Sequence, residues 1–172
     1  MSTSTNRHAV VATPLGALTV VVDDAGLCGI YYPGHWTNPD EVAWGPLMDA
    51  ANPDFAEPVR QLDEYFAGRR HDFELPLSLH GSARARQLWA LLAAIPYGST
   101  TTYGSLAGQL GGGISARAVG GFVGHNPVSI VVPCHRVVGS TGSLTGYAGG
   151  LERKQFLLEL EGAIPARTSA LW

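Results

Sequence analysis

One cysteine in this 172-residue chain stands where its chemistry could be used. Cys134 follows the apolar run Val128 to Val132 and Pro133, and precedes His135, Arg136 and Val137. Such a run reads as a buried strand or core segment, and proline fixes φ and removes a backbone donor. A thiol there would be held rigidly at the end of a packed element. The thiolate is the reactive form, and its population rises beside cations or imidazolium; His135 and Arg136 would supply both kinds of neighbour. A structural cysteine buried beside a surface histidine is equally open on these residues alone.

The elements that must position this thiol are legible in outline. Val10 to Ala12, Leu18 to Val22 and Leu27 to Tyr32 are β-rich runs separated by Pro14-Leu15-Gly16 and Asp23-Asp24-Ala25-Gly26, the pattern of a meander. Residues 33–53 read as irregular connection. Val59, Leu62, Tyr65 and Phe66 predict a helix over Phe55 to Ala67, and His71 to Leu79 could add a strand. These pieces make a small domain closing near residue 80. Ser82 can cap a helix carrying Leu88, Leu91, Leu92 and Ile95, stopped by Pro96. Two short helices follow, Tyr103 to Leu110 and Ala116 to Gly124, around Gly111-Gly112-Gly113, which suggests a helix-turn-helix. The second is rich in tiny residues, with Arg117 its one long charge, so its backbone could approach a partner closely. A last helix, Leu151 to Leu160, presents Phe156, Leu157 and Leu160 on one side. The expectation is an α+β protein with domains 1–80 and 81–172.

Composition narrows the function classes. Hydrophobic content is 45% and charged content 15%, as in an ordinary folded protein. No apolar run is long enough to span a bilayer, and Met1 to Arg7 lacks a signal-peptide core, so a reduced cytoplasmic setting is expected for the two cysteines. The net charge of −3 hides an asymmetry: residues 1–74 hold eleven acids against four arginines, whereas residues 75–151 hold four arginines and no acid. An acid-free stretch favours a polyanionic partner; a neutral glycine-rich core would look the same. Metal-ligand clusters and phosphate-binding glycine loops are absent from the sequence.

Pro133-Cys134-His135-Arg136-Val137, with Asn126-Pro127 upstream and Gly146-Tyr147-Ala148-Gly149-Gly150-Leu151 downstream, resembles the O6-alkylguanine-DNA alkyltransferase family. The similarity continues through Ile95-Pro96-Tyr97-Gly98, Thr102-Tyr103-Gly104, Ala116-Arg117-Ala118-Val119-Gly120 and Leu157-Leu158-Glu159-Leu160-Glu161-Gly162, and is weaker before residue 80, at Thr13-Pro14-Leu15-Gly16. The resemblance implies a ribonuclease H-like N-terminal sheet and helix, and a mostly helical DNA-binding domain after it. It implies that Cys134, ionised in a cleft, takes the alkyl group from O6 of guanine, and less readily from O4 of thymine, irreversibly. His135 would act as base through a water, Glu161 would orient it, and Asn126 would bridge the supporting turn. Tyr103 and Arg117, with Ala116, Gly120 and Gly121, would meet duplex DNA through the minor groove and flip the nucleotide; Tyr103, Val137, Tyr147 and Ala148 would wall the base pocket. Tyr147 as a plain core aromatic stays open.

No cofactor and no metal are expected, since the positions matching the zinc ligands of some relatives do not supply them. A monomer is expected, with several copies on DNA left open. Arg84 and Ala85 replace a Phe-Gln pair, Ser99 and Ser105 replace glutamates, and Phe122 replaces a small residue, changes that could strengthen phosphate contact. Two competing classes remain: a lesion-binding protein without transfer, which the presence of Cys134 disfavours, and a cysteine hydrolase that turns over.

Overall fold

A computed structural model describes residues 5–35, 37 and 39–165. The first four residues of the segment read for a leader, and the end of the expected 81–172 unit, lie outside the described residues. Strands β1 (Arg7–Thr13), β2 (Gly16–Val22) and β3 (Leu27–Tyr31) form an antiparallel meander in that order. Thr13 Oγ1 closes the first hairpin by donating to the Gly16 carbonyl at 2.8 Å, and Asp23 Oδ1 shapes the second by accepting from the Ala25 and Gly26 amides. Alternation puts Ala9, Val11, Leu18, Val20 and Ile30 into the core.

The expected strand over His71 to Leu79 does not form. Pro76 has no N–H to give, so this segment meets β3 at a single parallel bridge, Leu27 to Leu77, with the Leu27 amide donating to the Pro76 carbonyl and the Ser78 amide to the Leu27 carbonyl. Helix α1 (Ala56–Phe66) buries Leu62 and Tyr65 against the sheet, entered through a 3-10 turn, Pro53–Phe55.

Helix α2 (Ala83–Ala93) starts at Ser82, whose Oγ accepts from the Ala85 amide. Thr101–Thr102 (β4) pairs in parallel with Val137–Val138 (β5), a two-residue ladder that periodicity is too short to reveal. Helices α3 (Tyr103–Leu110) and α4 (Ala116–Gly124) are joined by Gly111, Gly112 and Gly113, all with φ between 72° and 75°, a run that side-chained residues would resist. Arg84 braces this turn by donating from Nη1 to the Gly111 carbonyl at 3.2 Å, so it serves the fold, and Ala85 is buried. Phe122 packs on the core, and its carbonyl accepts from Trp89 Nε1.

Helix α5 (Leu151–Leu160) differs from its expected face. Lys154, Leu157 and Leu158 are its buried residues, while Phe156 and Leu160 are only partly covered. The buried residues form one continuous core from Ala9 to Leu157, and β3 touches the second half directly through a bridge from Ile30 to Val128.

Candidate active site and nucleic-acid interface

The chain leaves α4 at Gly124 and reaches the thiol through a tight, internally bonded turn. Asn126 is buried, donates from Nδ2 to the Val132 carbonyl at 2.8 Å, and accepts the Val128 amide on Oδ1 at 3.0 Å. Between these anchors Ile130 sits at φ 75°, a left-handed conformation that a β-branched side chain adopts only under constraint. One side chain thus fixes the whole path from helix to cysteine. Replacing Asn126 by Ala should lower unfolding free energy by about 2 to 4 kcal/mol, because two buried backbone groups lose their partners; denaturant titration would read the loss.

Cys134 opens a single 3-10 turn, Cys134–Arg136, and is 4% exposed. Burial pushes its thiol pKa up, while the Asn126 amide, the Lys154 ammonium and the Tyr147 phenol pull it back. The expectation of a resting thiolate is therefore corrected: the sulfur is protonated in the closed site. The expected role of Arg136 changes as well. Its guanidinium turns away from the thiol, with Nε and Nη2 donating to Glu161 and Nη1 to the Ile95 carbonyl at 2.6 Å.

His135 is fully buried, with Nε2 2.8 Å from Glu161 Oε2. Burial alone would raise the Glu161 carboxyl, but bonds from His135, Arg136 and the Tyr65 hydroxyl hold it down to about 2. Glu161 is then a carboxylate that only accepts, so His135 donates from Nε2 and keeps Nδ1 as an acceptor. Nδ1 has no hydrogen-bond partner among the described residues. Burial pushes the imidazole pKa down against the pull of Glu161, so the ring is neutral and basic. Glu161 itself is buried at the end of α5.

Lys154 completes the polar set and was missed by sequence reasoning. It is buried, Nζ donates to the Thr145 carbonyl at 2.7 Å, and burial lowers it to about 8. The signal was present: Lys154, Leu157, Leu158 and Glu161 follow helical spacing, so two charges stand in an apolar stripe. Tyr65, on α1, was counted as core yet donates to Glu161 Oε2 at 2.6 Å.

The residues expected at DNA fall into two groups. Ala116, Arg117 and Gly121 are exposed on α4, and a Cβ built on Gly121 would meet nothing within 4 Å among the described residues, so no packing there demands its smallness. Gly120 instead faces the Tyr103 ring, 3.8 Å from where its Cβ would be. The Tyr103 hydroxyl accepts from Thr145 Oγ1 at 3.4 Å, which ties the first residue of α3 to the loop before α5. Val137, Tyr147 and Ala148 are buried, and Tyr147 shares a 2.6 Å hydrogen bond with the Tyr32 hydroxyl. Cys28 stands apart, half-buried on β3, its thiol pushed up to about 11 by burial. Among the described residues no three His, Cys, Asp or Glu side chains gather as metal ligands, and no helix is long and apolar enough to cross a membrane.

In chemical class this is a buried thiol followed directly by an imidazole that a buried carboxylate holds in place. Comparison with known proteins gives the class its family. Residues 83–163 match the model of the 6-O-methylguanine DNA methyltransferase DNA-binding domain, and residues 6–79 that of the ribonuclease-like domain. A methylated-DNA–protein-cysteine methyltransferase of Mycolicibacterium paratuberculosis is 46% identical over 90% of this chain and 92% of its own. One from Methanosarcina acetivorans is 38% identical over 91% of this chain and 98% of its own. A crystal structure of Mycobacterium tuberculosis OGT in complex with DNA superposes with a TM-score of 0.80 at 39% identity, covering 91% of this chain and 93% of that one. The chain belongs to the methylated-DNA–protein-cysteine methyltransferase family.

Proposed function

We propose that the protein repairs duplex DNA by moving the alkyl group of O6-alkylguanine, and less readily of O4-alkylthymine, onto Cys134. The observation that carries this reading is the buried Cys134 beside a neutral His135 whose Nε2 is tied to the ionised Glu161. His135 Nδ1 takes the thiol proton through a water, and Glu161 stabilises the imidazolium that results. The sulfur lone pair forms the S–C bond as the C–O6 bond breaks; the departing oxygen keeps that electron pair, and a returning proton restores guanine. Lys154, Asn126 and Tyr147 favour the sulfur anion at the moment of attack. A thioether is a poor leaving group, so each molecule acts once.

The target atom lies inside the stack, and chemistry on it requires an everted nucleotide. In this reading α4 enters the minor groove along Ala116, Gly120 and Gly121, Arg117 fills the gap in the stack, and Tyr103 presses on the phosphate beside it. Val137, Tyr147 and Ala148 wall the base. The protein acts in the cytoplasm as a monomer and needs no cofactor, and both cysteines are free thiols before transfer.

Incubation with a duplex carrying O6-methylguanine, followed by intact-mass measurement, tests the reading. One methyl per chain at Cys134 supports it; binding without mass gain would make this a lesion-binding protein, and repeated turnover a hydrolase. Replacing Arg117 by Ala should slow repair of the duplex by roughly tenfold or more while leaving reaction with a free alkylguanine base nearly unchanged, because only the duplex has a stack to fill. Equal losses on both substrates would remove Arg117 from the flipping step.

A further inference from the structure

The Glu161 carboxylate is shared among three side chains. Arg136 grips it as a fork, Nε on Oε1 at 2.8 Å and Nη2 on Oε2 at 2.9 Å. His135 Nε2 lies 2.8 Å from Oε2, and the Tyr65 hydroxyl donates to that same oxygen at 2.6 Å. A carboxylate offers about four acceptor positions, and the Tyr65 bond takes the last of them. His135 and Arg136 follow Cys134 directly, whereas Tyr65 comes from the first half of the chain, on α1.

The Tyr65 ring is fully buried and wedged. It stands edge-on to Phe66 and Tyr97, with centroids 5.4 Å and 6.3 Å away, and tilted against Phe73 at 5.3 Å. The segment bearing Phe73 is fixed from α1 too: Gln61 Oε1 accepts the Glu74 amide at 2.9 Å, and Nε2 donates to the Glu74 carbonyl at 3.2 Å. Burial and the adjoining carboxylate keep the phenol protonated, so its hydroxyl stays a donor.

We propose that Tyr65 is a positioning residue for alkyl transfer, its hydroxyl sharing Oε2 with His135 so that the Glu161 carboxylate keeps its rotation and divides its charge. The direction of the bond follows from the acceptor, because an ionised Glu161 has no proton to give. A charge-assisted bond draws negative charge from Oε2. Less is left to stabilise an imidazolium, so His135 stays neutral and Nδ1 stays open to a proton. The other charged or titratable groups facing the pair are Arg136, Lys154 on α5, and Tyr97 after α2. Both cations oppose a second proton on the ring, as Tyr65 does, while the Tyr97 hydroxyl turns to the Leu160 carbonyl. The base of the second half is thus set from the first.

This role rests on the proposed transfer to Cys134, and the experiment reads the two apart. Self-alkylation of the full chain and of Y65F by O6-benzylguanine would be followed by intact mass from about pH 4.5 to about pH 9, and His135 titrated in both by imidazole nitrogen NMR. Tyr65→Phe keeps the ring and removes one bond to a charged group, so the His135 midpoint should rise by about one pH unit. Below that midpoint transfer should slow roughly tenfold, and the loss should shrink as the pH rises past it. Leu62→Val, which trims the same buried face of α1 without removing a hydrogen bond, should lower stability and leave the midpoint in place. An unmoved midpoint in Y65F, a rate loss equal at every pH, or the same shift in L62V overturns the positioning role. A full chain that gains no benzyl group, while the Y65F midpoint still rises by NMR, would instead sink the transfer reading and leave the coupling of Tyr65 to the pair standing.

Discussion

Replacing Cys134 by Ser should abolish the mass gain from alkylated DNA and leave duplex binding within about twofold of the original. Binding of this kind draws mainly on phosphate contacts and groove fit, and a sulfur that is 4% exposed contributes to neither. The hydroxyl is a far weaker nucleophile at carbon, and neutral His135 is too weak a base to ionise it in place. Gel-shift or anisotropy titration reads one half of the expectation and intact mass the other. Alkyl label accumulating on the serine variant would mean that another residue, Cys28 foremost, is the acceptor.

The second large effect is expected at Glu161. Glu161→Gln keeps the shape but removes the charge that Arg136 and His135 share, leaving a guanidinium buried without a counter-ion. Breaking such a pair by removing one partner destabilises by about 3–5 kcal/mol. Transfer should fall as well, since the imidazolium loses its stabiliser. The wild-type protein offers a matching pH signature. Its Glu161 pKa is depressed in the fold, from 4.5 to about 2, so the stability it confers is fully present above 4.5 and is lost as the pH falls towards 2. That interval amounts to about 3 kcal/mol. His135, pushed down by burial, works in the same direction: the unfolded chain takes up a proton below its ordinary 6.5, and the folded one does not. Urea unfolding between pH 7 and 3 should show a stability that declines with acid, and the Gln variant should show a smaller decline. Parallel curves for the two proteins would remove Glu161 as the source.

Much of this architecture was legible in the sequence because local chemistry and global fold agree. The three β-rich runs, the serine cap of α2, and the glycine turn between α3 and α4 are local signals, and the elements formed where those signals stood. The segment around Pro76 misled because alternation spoke for a strand while the missing N–H spoke against it. The site was harder for a different reason. Cys134 and His135 announce themselves by type, but the groups around them arrive from elsewhere: Tyr65 from α1, through Glu161, and Lys154 from a helix read only for its apolar face. Arg136 looked like support for the sulfur by adjacency, yet adjacent residues on a tight turn point different ways. Only the fold decides which neighbour in space a neighbour in sequence becomes.

The protonated, enclosed state of Cys134 bears on how long the protein remains useful. Peroxides and stray electrophiles attack thiolates, and oxidation follows ionisation and access. A reagent that works once and cannot be regenerated gains most from staying inert until its target arrives. By burying the sulfur and raising its pKa, the fold shields an irreplaceable atom from reagents in the surrounding water.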